Sequence, residues 1–237
     1  MIKRKLISIT QAKKNISNIN SSFTLPFSFN NCILRSYFKD NIRVIKSKFV
    51  FNVFYHELNK YTEPKLEYIK SKTKLEVDVF TKYKNNSKLN ISTLININKD
   101  LTNGKGALRK GDLALNSYKY NQHVYFPDYK LAEKRLSVII GLINKNKEID
   151  FKFAVLIYVL LLNAHSFTDG NGRLSRVVFN LLTMNSYESY LPIYDIQHFS
   201  EGGYEIRLRE AEIFNRWRPI IEYFKNCIQL CKTFDEK

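Results

Sequence analysis

The sequence predicts an all-α protein with one small β-hairpin, and three observations support this class. Apolar residues recur at steps of three and four over long stretches of the 237 residues, which is the period of an amphipathic helix. Asp128 and Asp150, residues able to cap a helix, stand directly before two of these stretches. Residues 107–127 lack this period, carry several aromatic side chains and end at Pro127, which predicts a short hairpin or flap.

The predicted elements follow in order along the chain. Residues 1–30 are rich in Ser, Asn, Thr and Lys, and predict a loose arm with room for one short strand or helix. The helices expected after this arm cover about 31–47, 49–58, 66–83, 90–101, 129–145, 151–164, 173–185 and 200–231. The stretch 151–164 is apolar nearly all round, so it should lie at the centre of the core. We therefore expect a helical region over 31–89 and a core domain over 90–231.

Composition limits the classes of function. Hydrophobic residues make up 44% and charged residues 25%, which excludes a wholly disordered chain. The net charge of +16 would suit an acidic partner, but the basic residues are scattered, as on an ordinary Lys-rich surface, so nucleic-acid binding is not expected. The longest apolar run, Phe153–Leu162, is too short to cross a bilayer. Cys32, Cys227 and Cys231 are too few for a disulfide framework, which favours the reducing cytoplasm.

Residues 165–176 read His-Ser-Phe-Thr-Asp-Gly-Asn-Gly-Arg-Leu-Ser-Arg and lie between two apolar helices. Gly170 and Gly172 allow a turn in which consecutive N–H groups converge, and the next helix adds its own free N–H groups. Arg173 and Arg176 are three residues apart, so both can project from one helix face. These features together predict an anion site suited to phosphate.

Two further residues of this run add chemistry beside the anion site. Asp169 offers a carboxylate suited to Mg²⁺ that bridges phosphate oxygens. His165 can accept a proton from a hydroxyl group near neutral pH. Each residue alone is commonly structural, but all of them at fixed offsets predict a nucleotide–Mg²⁺ site beside a general base.

The run His165 to Arg176 resembles the signature of the Fic family, His-x-Phe-x-Asp/Glu-Gly-Asn-Gly-Arg-x-x-Arg, at every specified position. Ser166 stands where Pro is usual. The segment Gly106-Ala107-Leu108-Arg109 is similar to the Gly-x-x-Arg before the family's flap, and Tyr125-Phe126-Pro127 resembles the flap exit. The resemblance covers about 90–231 well and 31–89 loosely.

This resemblance implies a helical bundle with a β-hairpin flap, and transfer of AMP from ATP to a Tyr, Thr or Ser hydroxyl of a target protein. His165 would deprotonate that hydroxyl, and Asp169 would hold Mg²⁺ on the phosphates. The remaining motif residues would bind the nucleotide: Gly170, Asn171 and Gly172 through N–H groups, Arg173 and Arg176 through their guanidinium groups. The flap over 110–127 would dock the target by main-chain pairing.

Many members resemble one another in a second motif, Ser/Thr-x-x-x-Glu-Gly/Asn, whose Glu pairs with the second Arg of the signature. Ser36-Tyr37-Phe38-Lys39-Asp40-Asn41 has this layout with Asp in place of Glu. Ser36, Asp40 and Asn41 are therefore candidate regulatory residues, with Arg176 as the partner of Asp40. The alternative is an ordinary helix with an exposed Asp.

Other activities stay open at this point. Related proteins transfer other nucleotides, phosphocholine or phosphate. A toxin restrained by a separate antitoxin protein, or by self-association, is also compatible with the motif. A basic binding module with a vestigial enzyme site is disfavoured, because the signature is intact.

Overall fold

A computed structural model describes residues 2–20, 25, 63–86, 88–117, 122–146, 148–184, 190–199 and 203–235. These residues are mostly helical, which confirms the predicted fold class. The helices are α1 Ile9–Ser17, α2 Glu63–Tyr83, α3 Ile91–Leu101, α4 Tyr129–Lys145, α5 Phe151–Ala164, α6 Asn171–Thr183, α7 Ile193–Phe199, α8 Gly203–Phe214 and α9 Arg218–Asp235. The strands are β1 Ile2–Lys3, β2 Ala114–Ser117 and β3 Gln122–Tyr125.

Helix α5 is the centre of the core. Apolar side chains cover all of its faces, and it is buried along almost its whole length by α1, α4, α6, α8 and α9. Both predicted caps are present: the Asp128 side chain accepts a hydrogen bond from the Lys130 N–H, and the Asp150 side chain accepts one from the Phe153 N–H. These caps fix where α4 and α5 begin.

Two helix starts differ from the prediction. Helix α6 begins at Asn171 rather than Arg173, because Gly170 is the N-cap residue in a left-handed conformation. Helix α2 begins at Glu63, and Pro64 lies in its first turn, where its missing N–H is not needed. The last helices, predicted over about 200–231 with Pro219 at a break or a helix start, are α8 and α9, and Pro219 lies in the first turn of α9.

The N-terminus is part of the folded core, in contrast to the loose arm predicted over 1–30. Helix α1 buries Ala12 and Ile16, and the neighbouring Ile7 and Ile19 are also buried. The spacing of Ala12, Ile16 and Ile19 is helical, but the many polar residues around them conceal the short apolar stripe in the sequence. The predicted helices over 31–47 and 49–58 lie outside the described residues.

The predicted hairpin is confirmed, and it has a third strand. Strands β2 and β3 pair antiparallel from Ala114 opposite Tyr125 to Ser117 opposite Gln122. Strand β1 pairs parallel with β3, so the sheet order is β1-β3-β2. Within the described ranges, no helix is both long and apolar enough to cross a membrane.

Candidate active site

A cavity of about 300 Å³ opens where α5 ends and α6 begins. Its lining residues are His165, Thr168, Asp169, Gly170, Asn171, Gly172, Arg173, Arg176 and Tyr194. Every residue that the sequence predicts for catalysis, nucleotide binding or metal binding is among them. The fold thus brings the predicted site residues to one cavity, and their chemical roles stay a prediction.

The loop between α5 and α6 is closed by Asn171. Its side-chain Oδ1 accepts a hydrogen bond from the Phe167 N–H at 3.0 Å, and its Nδ2 donates to the Phe167 carbonyl at 2.8 Å. Phe167 itself is buried in the core. The Gly170 N–H donates to Asp169 Oδ1. The first N–H groups of α6 have no partner within the helix, and Asn171 and Gly172 line the cavity, which suits an anion.

The segment before the flap fixes the same loop from its other side. The Arg109 N–H donates to the Ser166 carbonyl at 3.0 Å, and the Thr168 N–H donates to the Ala107 carbonyl at 2.8 Å. The Arg109 side chain is buried, and its Nη2 donates to the Pro127 carbonyl at 2.7 Å. Arg109 therefore connects the flap exit to the loop that carries His165.

His165 ends α5 in a left-handed conformation, with φ 47° and ψ 51°. Its ring stacks on the Phe126 ring, with 3.6 Å between the centroids and 13° between the planes. Burial, followed by the positive charge of Arg109, lowers the pKa of His165 to about 3. The imidazole is therefore neutral at physiological pH and able to accept a proton.

Asp169 lies at the mouth of the cavity, with 63% of its side chain exposed. Its Oδ2 accepts a hydrogen bond from Arg173 Nη2 at 2.8 Å, and Arg173 Nη1 donates to the Leu101 carbonyl. The described residues contain no cluster of three or more His, Cys, Asp or Glu that could hold a metal alone. One exposed carboxylate beside a phosphate-sized cradle nevertheless fits Mg²⁺, which takes most of its ligands from phosphates and water.

Arg176 is held by a buried carboxylate from α2. Its Nε lies 3.0 Å from both carboxylate oxygens of Glu76, and its Nη2 donates to Oε1 at 2.5 Å. Tyr190 donates its hydroxyl to Glu76 Oε2 at 2.9 Å. Burial alone would lower the pKa of Arg176, but the Glu76 charge raises it, so the guanidinium stays ionised. Arg176 Nη1 donates a hydrogen bond to Gln197 Oε1. The centroid of the Tyr194 ring lies 4.6 Å from the guanidinium carbon of Arg176.

The comparison with protein families agrees with the geometry of this loop. Residues 88–183 match the model described as the Fic/DOC family. This stretch of the chain is therefore similar to a Fic domain. The family includes proteins that transfer AMP, known as AMPylators.

Solved Fic structures share the fold of this chain at low sequence identity. A Fic family protein from Desulfovibrio desulfuricans G20 has 15% identity and a TM-score of 0.55, over 88% of this chain and 75% of that chain. Fic-1 from C. elegans has 16% identity and a TM-score of 0.53, over 95% and 70%. A Fic domain containing signaling protein from Bacteroides thetaiotaomicron VPI-5482 has 11% identity and a TM-score of 0.50, over 93% and 92%.

The sequence analysis did not identify Glu76 as a partner of Arg176. It named Asp40 as a candidate partner, and Asp40 lies, with Ser36 and Asn41, outside the described residues, so that role stays a prediction. Among the described residues, Glu76 pairs with Arg176. A signal was present in the sequence, because Glu76 stands on the stripe of α2 that also buries Val79 and Phe80, where a charged residue needs a partner.

Asn98 was also missed. Its Nδ2 donates to the Asp169 carbonyl at 3.0 Å, and Gly106 and Gly170 approach it so closely that neither has room for a side chain. The signal was a buried Asn on the apolar face of α3, beside Ile97. Asn98 thus connects α3 to the loop between α5 and α6.

Proposed function

We propose that this chain is a protein adenylyltransferase, which transfers AMP from ATP to a Tyr, Thr or Ser hydroxyl of a target protein. The proposal depends on one observation: the same cavity is lined by the neutral His165, by the N-terminus of α6 and by the guanidinium groups of Arg173 and Arg176. An N–H cradle and positive charge suit phosphate oxygens, and a neutral imidazole suits an acceptor hydroxyl.

The chemistry follows from these positions. The acceptor hydroxyl gives its proton to His165 while its oxygen forms a bond to the α-phosphorus of ATP. The bond from this phosphorus to the bridging oxygen breaks, and pyrophosphate leaves. Negative charge grows on the phosphate oxygens, where the N–H groups of Gly170, Asn171 and Gly172 and the Arg173 guanidinium stabilise it. Mg²⁺, held by Asp169, would neutralise further phosphate charge when it is bound.

The ion pairs of the site must change partners when ATP binds. Arg173 contacts Asp169 at 2.8 Å, so a phosphate that takes Arg173 leaves the carboxylate available for Mg²⁺. Arg176 has Nε and Nη2 on Glu76, so an outer phosphate competes with Glu76 for this guanidinium. We therefore assign the regulatory role proposed for Asp40 to Glu76.

Transfer of labelled nucleotide tests the proposed function. The full chain is incubated with cell lysate and α-labelled ATP, and labelled proteins are identified by mass spectrometry. His165→Ala should lower the rate about 10²–10⁴-fold without loss of ATP binding, because only the proton acceptor is removed. Lys134→Ala, at an exposed position on α4, is the control and should behave as wild type. Transfer by His165→Ala at the wild-type rate would refute the assignment.

The same assay separates the alternative activities. γ-Labelled ATP labels the target only in phosphate transfer, whereas α-labelled ATP labels it only in AMP transfer. Transfer assays with α-labelled GTP, UTP and CTP test which nucleobase the site accepts. Cys227 and Cys231 are buried as thiols and are not joined in a disulfide, which supports the reducing, cytoplasmic location that we propose.

A further inference from the structure

The N-terminal segment reaches the candidate active site through two rings. The guanidinium carbon of Arg4 lies 4.6 Å from the centroid of the Phe126 ring. The Phe126 ring in turn stacks on the imidazole of His165, with 3.6 Å between centroids. Phe126 is buried at the flap exit, so it contacts both the N-terminal cation and the histidine.

The backbone of this segment is fixed at both ends. The Arg4 N–H donates to the Tyr125 carbonyl at 2.8 Å, next to the residue that stacks on His165. Asn163, two residues before His165, accepts a hydrogen bond from the Ile7 N–H at 3.0 Å and donates to the Lys5 carbonyl at 3.2 Å. The segment therefore bridges the last strand of the flap and the end of α5.

The Arg4 side chain is held over Phe126 by a charged partner. Glu212 on α8 is nearly buried and lies 3.8 Å from Arg4 Nη1, and it also pairs with Arg209. Burial lowers the pKa of Arg4 to about 10, so it remains a cation at neutral pH. Arg109, Arg4 and Arg209 are the charged groups that disfavour a proton on His165. Arg4 thus acts on the histidine by packing through Phe126 and by its charge.

We propose that Arg4 is a positioning residue for His165, which holds Phe126 against the imidazole and so fixes the ring at the cavity. The proposal rests on the proposed role of His165 as the proton acceptor. A general base must stand within hydrogen-bond distance of the acceptor hydroxyl, and a small rotation of its ring lowers the rate. A ring packed on one face by Phe126 has fewer orientations than a ring in open solvent.

The test uses four variants of the full chain and two measurements. Arg4→Gln removes the cation, Phe126→Leu removes the shared ring, the double variant combines both, and Lys5→Gln is the control at an exposed neighbour. The pKa of His165 is measured by NMR titration, with His165→Gln to assign its signal. The kcat for transfer and the KM for ATP are measured in parallel.

We expect Arg4→Gln to raise the pKa of His165 by about one unit, since a cation is lost and the ring is less confined. It should lower kcat about tenfold and leave the KM for ATP nearly unchanged, because the phosphate cradle is intact. Phe126→Leu should lower kcat to a similar extent, and the kcat of the double variant should match that of Phe126→Leu alone, because Arg4 confines the imidazole through that ring. Lys5→Gln should match wild type.

Two outcomes would overturn the proposal. One is a lower Tm for Arg4→Gln with an unchanged His165 pKa and kcat, which would mean that Arg4 stabilises the fold but does not position His165. The other is additive effects of Arg4→Gln and Phe126→Leu on kcat. If Arg4→Gln does not fold, Arg4→Met takes its place, because it also removes the charge while it keeps a long side chain, and it is judged in the same way. If wild type transfers no nucleotide, the proposed function fails, while the NMR titrations of the variants still decide whether Arg4 controls His165.

Discussion

At Gly170 the chain has a positive φ of 79°, and α3 lies against the position of a side chain. A Cβ there would stand 2.6 Å from Asn98 Nδ2 and 2.7 Å from Thr102 Cγ2. Two independent reasons therefore require glycine: the backbone conformation and the close approach of α3. The N–H groups of the anion cradle depend on both.

Gly170→Ala should destabilise the protein by about 2–4 kcal/mol and weaken ATP binding, because strain and a clash act together. Gly104 has the same φ of 79° but no atom within 4 Å of its Cβ position, so Gly104→Ala measures the strain alone. We expect about 1 kcal/mol for that variant. Urea denaturation gives both values, and calorimetry gives ATP affinity. Equal destabilisation by the two substitutions would show that α3 does not confine Gly170.

At the scale of elements, one ion pair joins α2 to the site on α6. Glu76 has no exposed surface, and Arg176 has almost none. Breaking a buried pair by removing one partner typically costs about 3–5 kcal/mol. The same carboxylate holds two nitrogens of the guanidinium that we propose for an outer phosphate of ATP. On that proposal, Glu76 both stabilises the fold and competes with ATP for Arg176.

Glu76→Gly should lower the Tm and raise automodification about tenfold, within the usual range of coupling between sites. Arg176→Ala in the same chain should remove this gain, because the freed guanidinium is its cause. Asp78→Asn, at an exposed position on the same helix, is the control and should change neither quantity. Asp40→Gly in the same assay tests the prediction made from the sequence. A lower Tm without any gain in transfer would make Glu76 a purely structural counter-ion.

The flap has one open edge among its described strands. Strand β1 covers β3, so among the described strands the outer edge of β2 is the one on which we propose that an extended target segment docks. The Phe126 N–H donates to the Leu113 carbonyl, which makes residues 113 and 126 a hydrogen-bonded pair. In an antiparallel ladder the pattern alternates, so the N–H and carbonyl groups of Ala114 and Asn116 point away from β3.

Asn116→Pro should weaken target modification about three- to tenfold, because it removes one outward N–H from main-chain pairing. Asn116→Ala keeps the N–H and is the matched control. Proline at an edge position leaves the pairing with β3 in place. Transfer to lysate proteins and calorimetry with ATP separate target docking from nucleotide binding. Equal transfer by the Pro and Ala variants would exclude docking through this N–H.

Across the whole molecule, the sequence predicts what depends on neighbours along the chain. Helices α4 and α5 are predicted to the residue, because an Asp cap and an apolar stripe are both local. The predicted site residues come together in the cavity for the same reason, since all lie within the run 165–176, whereas Tyr194, which also lines it, lies outside that run and was not predicted. Glu76 and Arg4 are not predicted as partners of the site. Glu76 lies 100 residues from Arg176 along the chain, and no local spacing identifies such a pair.

Burial of His165 should also make the stability of the whole protein depend on pH. The pKa of His165 falls from an ordinary value of 6.5 to about 3 on folding. Between these values the unfolded chain binds a proton that the folded protein does not bind. The free energy of unfolding should therefore fall as the pH drops below 6.5, by up to about 1.4 kcal/mol per pH unit. Above pH 6.5 His165 is unprotonated in both the folded protein and the unfolded chain. The free energy of unfolding then no longer changes with pH through this residue, and its contribution is fully present.

Urea denaturation of wild type and His165→Gln between about pH 5 and 7 measures this contribution, since most carboxylates remain ionised there. The other histidines are the same in both proteins, so the difference between the two slopes belongs to His165. Wild type should lose more stability on acidification than His165→Gln. Parallel curves would mean that the folded protein takes up the proton at His165 as readily as the unfolded chain. In that case the imidazole would lack the burial that keeps it neutral, and transfer would fall with a midpoint near 6.5 rather than persist at pH 5.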